Sequence, residues 1–232
     1  MDNKVIVLGD THGRSIWKDI VEKVPFDKVI FIGDYFDTHE GITPEVQLNN
    51  FNEIVDFKFD NYPRVELLIG NHDYHYMPGI EENYSGFSTD YFYQFNQALS
   101  THLKHMKVCT NIHNFLLSHA GITKTWCNDN NIYVPDIVNS INQAFALNKR
   151  ILKFNGINVY GDDVTQSPIW VRPRSLVSDG VEGYVQVVGH TTQQKMTVIE
   201  NQFILIDTLG TTEQFLYIEN NEAKPKTLND FI

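Results

Sequence analysis

Five times along the chain a run of apolar residues ends abruptly in a short polar turn. The runs are 5–8 (Val-Ile-Val-Leu), 29–32 (Val-Ile-Phe-Ile), 65–69 (Val-Glu-Leu-Leu-Ile), 115–117 (Phe-Leu-Leu) and 185–188 (Val-Gln-Val-Val). Short runs with so little polar alternation predict strands covered on both faces. Between them the apolar spacing turns helical. Ile16, Ile20 and Val24 predict a short helix that Pro25 stops. Thr43 is placed to cap a second helix, with Pro44 in its first turn and Leu48, Phe51 and Val55 facing inward. Ile137, Ile141 and Phe145 mark another helix after Pro135. Strand, polar turn and helix thus alternate, which predicts an α/β fold with parallel strands and a crevice at their carboxyl ends.

Other stretches are less regular. Tyr84, Phe87, Tyr91 and Phe95 recur at helical spacing inside an aromatic-rich segment at about 74–105. They predict either a helix packing an aromatic face or a cap insert whose rings stack on a substrate ring. Residues 155–183 are rich in Gly, Pro and Asp and predict loop. Runs at 194–199, 203–206 and 214–218 have the spacing of an antiparallel meander, and 220–232 read as a polar tail. No repeat, linker or composition break divides the chain, so residues 1–232 are expected to form a single domain.

Composition narrows the class without changing this picture. With 42% hydrophobic and 20% charged residues among 232, the chain has the make-up of a globular protein. No apolar run reaches membrane-spanning length, and residues 1–4 lead straight into a strand, leaving no room for a signal peptide. Cys109 and Cys127 make no disulfide framework and read as idle thiols of a reducing compartment, so a cytoplasmic location is expected. The 18 basic against 29 acidic residues give a net charge of −11, which disfavours binding to a nucleic-acid backbone.

The five turns carry the candidate chemistry. Together they hold Asp10, His12, Asp34, Asn71, His119 and His190: two carboxylates, three imidazoles and an amide oxygen. This set suits two adjacent divalent ions, with one carboxylate able to bridge them. A lone Asp or His at a strand end is ordinarily a turn residue. Five such turns in order are not explained that way.

The motifs Gly-Asp-Thr-His-Gly (9–13), Gly-Asp-Tyr-Phe-Asp (33–37), Gly-Asn-His-Asp (70–73), Ser-His-Ala-Gly (118–121) and Gly-His-Thr (189–191) resemble those of the calcineurin-like metallophosphoesterase superfamily. The resemblance implies a central β-sandwich of two mixed sheets flanked by helices, with a dinuclear metal site at the carboxyl edge of the strands. By the same resemblance, Asp10 and His12 hold the first ion, Asp34 bridges, and Asn71, His119 and His190 hold the second. Mn is the leading expectation, with Fe, Zn, Ni or Mg as alternatives. His72 matches the family's catalytic histidine and Asp37 the carboxylate that pairs with it. Two close cations acidify a shared water for in-line attack on phosphorus, and an imidazole backed by a carboxylate can protonate the leaving oxygen.

Departures from the pattern bear on the substrate. In the protein serine/threonine phosphatase branch the second motif continues Arg-Gly; this chain has Thr38-His39. Arg172 is similar to that branch's second phosphate-gripping arginine, and Arg14 either replaces the missing one or faces solvent. Many phosphodiesterase relatives carry Gly-His-x-His, whereas Thr192 stands at the second position here. Ile206-Asp207-Thr208 also resembles a segment of the phosphatase branch. The other histidines (His39, His75, His102, His105 and His113) read as structural or surface, with His39 and His75 nearest the site. The expected function is hydrolysis of a phosphomonoester, on a phosphoprotein or a small phosphorylated molecule. Hydrolysis of a dinucleoside polyphosphate or other nucleotide is the alternative, followed by phosphodiesterase action and by a non-catalytic scaffold. No membrane partner is expected, and nothing in the chain specifies an oligomeric state.

Overall fold

The computed structural model describes residues 4–38, 40–156, 158 and 160–231. The first half alternates as the apolar pattern predicts. Strand β1 (Lys4–Leu8) leads to α1 (Ile16–Lys23), β2 (Lys28–Phe31) to α2 (Pro44–Asp60), and β3 (Val65–Leu68) to the short α3 (Asn71–Tyr74) and to α4 (Phe92–His102). Strands β4 (Met106–Lys107), β5 (Cys109–Ile112) and β6 (Phe115–Ser118) follow, then helices α5 (Lys124–Asp129), α6 (Ile137–Leu147) and α7 (Pro173–Asp179). The chain ends in β7 (Val185–Val188), β8 (Thr197–Ile199), β9 (Phe203–Leu205), β10 (Phe215–Glu219) and β11 (Glu222–Lys226).

Two mixed sheets result. One runs β11-β10-β1-β2-β3-β4, with β1 to β4 parallel; the other runs β5-β6-β7-β9-β8, with β6, β7 and β9 parallel. Residue alternation explains why the apolar runs are continuous. Val5, Val7, Ile30, Ile32 and Leu68 point inward and meet Leu117, Val187 and Ile204 of the other sheet. Ile6, Leu8, Val29, Phe31 and Leu67 point outward and are covered with Trp17, Ile20, Phe51 and Ile54 of α1 and α2. Both faces of these central strands are therefore dry, which is the layered solution for strands of this pattern. Thr43 caps α2 through its side chain, which accepts from the Val46 N–H, and Phe51 and Val55 are buried while Leu48 is partly so.

Several expectations are corrected. The helix read from Tyr84 to Phe95 begins only at Phe92. Gly86 adopts a left-handed φ of 86°, and a β-carbon there would lie 2.9 Å from that of Asp37, so the segment turns instead of coiling. Helix α7 interrupts the loop expected at 155–183. The meander stops at the β8–β9 pair, because β10 crosses to the other sheet and lies antiparallel to β1. Leu216 and Ile218 of β10 thereby enter the layer between the sheets. The polar tail contains β11, whose Lys224, Pro225 and Lys226 make a blunt edge to the sheet. Both cysteines are buried and unpaired. Among the described residues no helix is long and apolar enough to cross a membrane. His39 lies outside the described residues.

Glu66 is an exception to the apolar β3 pattern. Its carboxylate lies 2.7 Å from Lys28 Nζ, and its Oε2 pairs with Lys107 Nζ by charge, 3.1 Å away and without hydrogen-bond geometry. Burial works to raise its pKa, but Lys28, Thr110 and Lys107 outweigh this and hold it at about 2, against the usual 4.5. A depressed carboxylate adds stability that is complete above its unfolded value and lost as pH falls toward its folded one. That contribution is about 3 kcal/mol. Glu66→Gln is therefore expected to lower unfolding free energy at pH 7 by an amount of this order. The wild-type and variant denaturation curves should converge between about pH 5 and pH 2; a constant gap across this range would contradict the assignment.

Candidate active site

Parallel pairing places the carboxyl ends of β1, β2, β3, β6 and β7 at one edge of the sandwich, and the five polar turns meet there. The turn after β1 carries Asp10 and His12, and the turn after β2 carries Asp34 and Asp37. Asn71 opens α3, His119 follows β6, and His190 follows β7. Four of these residues (His12, Asp34, Asp37 and His190) have left-handed backbone, with φ between 45° and 62°. For residues with a β-carbon this costs on the order of 1–3 kcal/mol each and persists only where the surroundings over-determine it.

The surroundings of Asp34 do so. Its backbone N–H donates to Asp73 Oδ2 at 2.9 Å, its carbonyl accepts the His12 N–H at 2.8 Å, and its Oδ1 accepts the His72 N–H at 2.9 Å. Any β-carbon on Gly70 would overlap the Asp34 carboxylate, so only glycine leaves room for it. Asp73 also accepts from the N–H groups of Tyr35 and Gly70. Burial and the nearby Asp34 nevertheless push its pKa up to about 7, against those backbone donors. Asp73 is the last residue of the Gly-Asn-His-Asp motif, and the resemblance assigns it no role.

The imidazoles are oriented from behind. His12 Nδ1 donates to the Phe36 carbonyl at 2.6 Å and His119 Nδ1 to the Ile32 carbonyl at 3.0 Å, which turns both Nε2 atoms toward the Asp34 carboxylate. His119 Nε2 is 3.2 Å from Asp34 Oδ2 and 3.0 Å from Asn71 Oδ1, and His190 Nδ1 is 2.8 Å from the same Asn71 oxygen. The backbone N–H of His190 in turn donates to both oxygens of Asp10. Two groups of ligand-type atoms lie mutually within 4.8 Å, Asp10-His12-Asp34 and Asp34-His119-His190, and Asp34 belongs to both.

These residues fit a pair of divalent ions. Atoms sharing an ion at about 2.1 Å stand roughly 3–3.5 Å apart, close to the spacings around Asp34, Asn71 and His119. His190 Nε2 is buried with no hydrogen-bond partner among the described residues. The charge balance agrees. Burial works to lower His119, but Asp34 and Asp10 pull it up to about 10; burial and Asp207 push Asp10 well above the carboxylate range. A site where buried carboxylates raise an imidazole this far calls for positive charge, which divalent cations supply.

The cavity over this cluster is about 390 Å³ and is also lined by Arg14, Asp37, His72, Ser85, Trp170 and Arg172. His72 Nδ1 lies 3.1 Å from Asp37 Oδ2. Burial works to lower His72, but Asp34 and Asp37 raise it above the usual value. Arg172 is anchored by Nη1 to the His190 carbonyl and Thr191 Oγ1 and by Nε to the Tyr160 carbonyl, and its Nη2 makes no hydrogen bond to the described residues. Arg14 is placed differently: Glu40 takes its Nε and Nη2 in a bidentate pair, and its Nη1 donates to the carbonyls of Asp10 and Thr11. Its fork is thus occupied by protein oxygens. Thr192 donates to Asp207 Oδ2 at 2.7 Å, and both line the cavity. Tyr84, Phe87 and Phe95 pack on His75, Tyr76 and Phe36, so of the stretch 84–95 it is Ser85 that reaches the cavity.

The family model for calcineurin-like phosphoesterase matches residues 3–193. The chain belongs to this family. It is accordingly a hydrolase of phosphoester bonds that uses divalent metal ions. The fold of this phosphoesterase is also that of a cold-active protein-tyrosine phosphatase from the psychrophile Shewanella sp., with a TM-score of 0.68, 20% identity, and coverage of 98% of this chain and 78% of that one. A protein serine/threonine phosphatase from Saccharomyces cerevisiae superposes with a TM-score of 0.57 and 12% identity over 97% of this chain and 80% of that one. No curated relative matches significantly by sequence.

Metal binding should be visible in stability. Restoring a divalent ion to chelator-treated phosphoesterase is expected to raise Tm, with about 2.7 kcal/mol gained at a hundred times Kd. Asp34→Asn, which removes the charge common to both groups, is expected to lose most of this shift. An Asp34→Asn shift equal to wild type, in a calorimetric titration with Mn or Zn, would contradict the shared role.

Proposed function

We propose that this phosphoesterase hydrolyses a phosphomonoester, on a phosphoprotein or a small phosphorylated molecule. The supporting observation is that one cavity receives the Asp34 carboxylate, the His72–Asp37 pair and the unpaired side of Arg172. Asp10, His12, Asp34, Asn71, His119 and His190 would hold two divalent ions, and the mixture of hard oxygen and imidazole donors suits Mn first, with Fe, Zn, Ni or Mg as alternatives. When bound, such a pair supplies Lewis acidity: it acidifies water near neutral pH and offsets charge on the phosphoryl oxygens.

The chain's own groups do the rest. Arg172, with Nη1 tied to His190 and Thr191, directs Nη2 at a phosphoryl oxygen and orients the group for in-line attack. As a water oxygen bonds to phosphorus in line and loses its proton to solvent, the bond from phosphorus to the ester oxygen breaks, and its electron pair passes to that oxygen, which takes the proton from His72 Nε2. Asp37 accepts the Nδ1–H, which fixes the tautomer and stabilises the charged ring before transfer. Glu40 keeps Arg14 away from this task. Thr192 is bonded to Asp207 and adds no further nitrogen to the centre, which favours a monoester over a diester. No ring of 84–95 lines the cavity, which weighs against the dinucleoside reading. The Shewanella and yeast proteins are named as protein phosphatases, so phosphotyrosine and phosphoserine peptides are the first substrates to compare with a mononucleotide, a dinucleoside tetraphosphate and a cyclic dinucleotide.

Two variants test the roles. His72→Asn is expected to keep its metals and to lose about 100-fold or more in kcat on an alkyl phosphate such as a phosphoserine peptide. On p-nitrophenyl phosphate, whose leaving group hardly needs a proton, the loss should be about tenfold or less. Equal losses on both would remove the general-acid assignment. Arg172→Ala is expected to lower kcat/KM by about tenfold or more on every phosphomonoester; an unchanged value would place the phosphate grip elsewhere.

A further inference from the structure

A third group of ionisable side chains lies beside the metal cluster: Asp37, His72 and His75, mutually within 4.8 Å. All its contacts converge on the Asp37 carboxylate. Oδ2 accepts the His72 Nδ1–H at 3.1 Å and meets His75 Nε2 at 2.6 Å as a charge contact without hydrogen-bond geometry, and Oδ1 accepts the Tyr76 hydroxyl at 2.7 Å. His75 is fully buried, as is Tyr76, and neither lines the cavity.

Each of these two groups is itself oriented by the backbone of the segment that precedes α4. The Tyr84 N–H donates to His75 Nδ1 at 3.1 Å, so the ring proton sits on Nε2, the nitrogen that lies beside Asp37 Oδ2. The Ser88 N–H donates to the Tyr76 oxygen at 2.6 Å, so the hydroxyl hydrogen is left for Asp37. Stacking of Tyr84 on His75 and of Phe87 on Tyr76 holds both rings in place, with centroids 5.0 Å apart in each pair. Gly86, between these two anchors, packs against Asp37 directly.

We propose that His75 and Tyr76 are positioning residues that clamp Asp37 and thereby aim His72 at the leaving oxygen, with the 84–88 segment as their support. The inference rests on the general-acid role of His72 given under Proposed function. The physical need is clear from the backbone. Asp37 has a left-handed φ of 61°, and its own N–H donates to Gln47 Oε1, so its carboxylate depends on side-chain donors for its orientation. With Oδ1 held by Tyr76, the carboxylate cannot rotate about its axis, and Oδ2 stays on the line to His72 Nδ1. The aromatic segment then serves catalysis from behind the proton donor, without touching substrate.

Tyr76→Phe is the cleanest test, because it deletes the hydroxyl and keeps the ring in its stack. The expected result is a fall of about tenfold in kcat on a phosphoserine peptide, with KM unchanged and less than about twofold loss on p-nitrophenyl phosphate. In a His72→Asn background the same change should cost nothing further on either substrate. His75→Gln, which keeps a nitrogen donor toward Asp37, should retain activity that His75→Ala loses. A Tyr76→Phe loss of equal size on both substrates, or an added loss in the His72→Asn background, overturns the clamp. If His72→Asn discriminates between the substrates and Tyr76→Phe does not, the acid role stands and the clamp falls. If His72→Asn itself loses both equally, the two fall together.

Discussion

The centre of this protein depends on keeping one carboxylate, that of Asp34, buried and charged at the end of a strand. Burial alone pushes such a group toward neutrality, yet the surrounding His119 and His72 hold it well below the ordinary carboxylate range. Its backbone is left-handed, a conformation that Asp73 secures by accepting the Asp34 N–H while also binding the N–H groups of Tyr35 and Gly70. Gly70 leaves the volume the carboxylate occupies. Residues from β1, β2, β3, β6 and β7 all arrange themselves around this charge.

The sandwich makes that convergence possible. Strands that are dry on both faces pair in parallel, and parallel strands deliver their carboxyl ends to the same edge. The second sheet, packed face to face on the first, brings His119 and His190 to Asp34 and Asn71 from the opposite side. Strand β10 and its polar partner β11 close the side of the first sheet that would otherwise leave β1 as an edge. The strained turns therefore rest on a rigid two-layer core, which supplies the over-determination that left-handed Asp and His residues need.

Two arginines reach the cavity, and their surroundings separate them. Arg14 follows the first polar turn directly, yet Glu40 occupies its fork from a loop 26 residues on. Arg172 lies far along the chain, and its anchors are the carbonyl and hydroxyl of the His190–Thr191 turn, next to the cluster around Asp34. Charge does not separate them. What decides is which oxygens the folded chain has already assigned to each guanidinium.

The amino-acid sequence by itself determined the five strands, the helices α1, α2 and α6, and the residue types at each strand end. These follow from local spacing, because apolar period and turn chemistry act over a few residues. The five motifs in order were enough to name the phosphoesterase family. Tertiary structure alone decided the rest. It moved β10 to the other sheet and turned 220–232 into an edge strand, since those choices depend on which faces remain uncovered after the sandwich forms. It delayed the predicted helix to Phe92, because the chain turns at Gly86, where Asp37 leaves no room for a side chain. And it put His75, which looks like any buried histidine in the sequence, against Asp37, because the Tyr84 N–H that orients its ring and the carboxylate beside it come from the aromatic segment and the second motif, which meet only once the chain is packed.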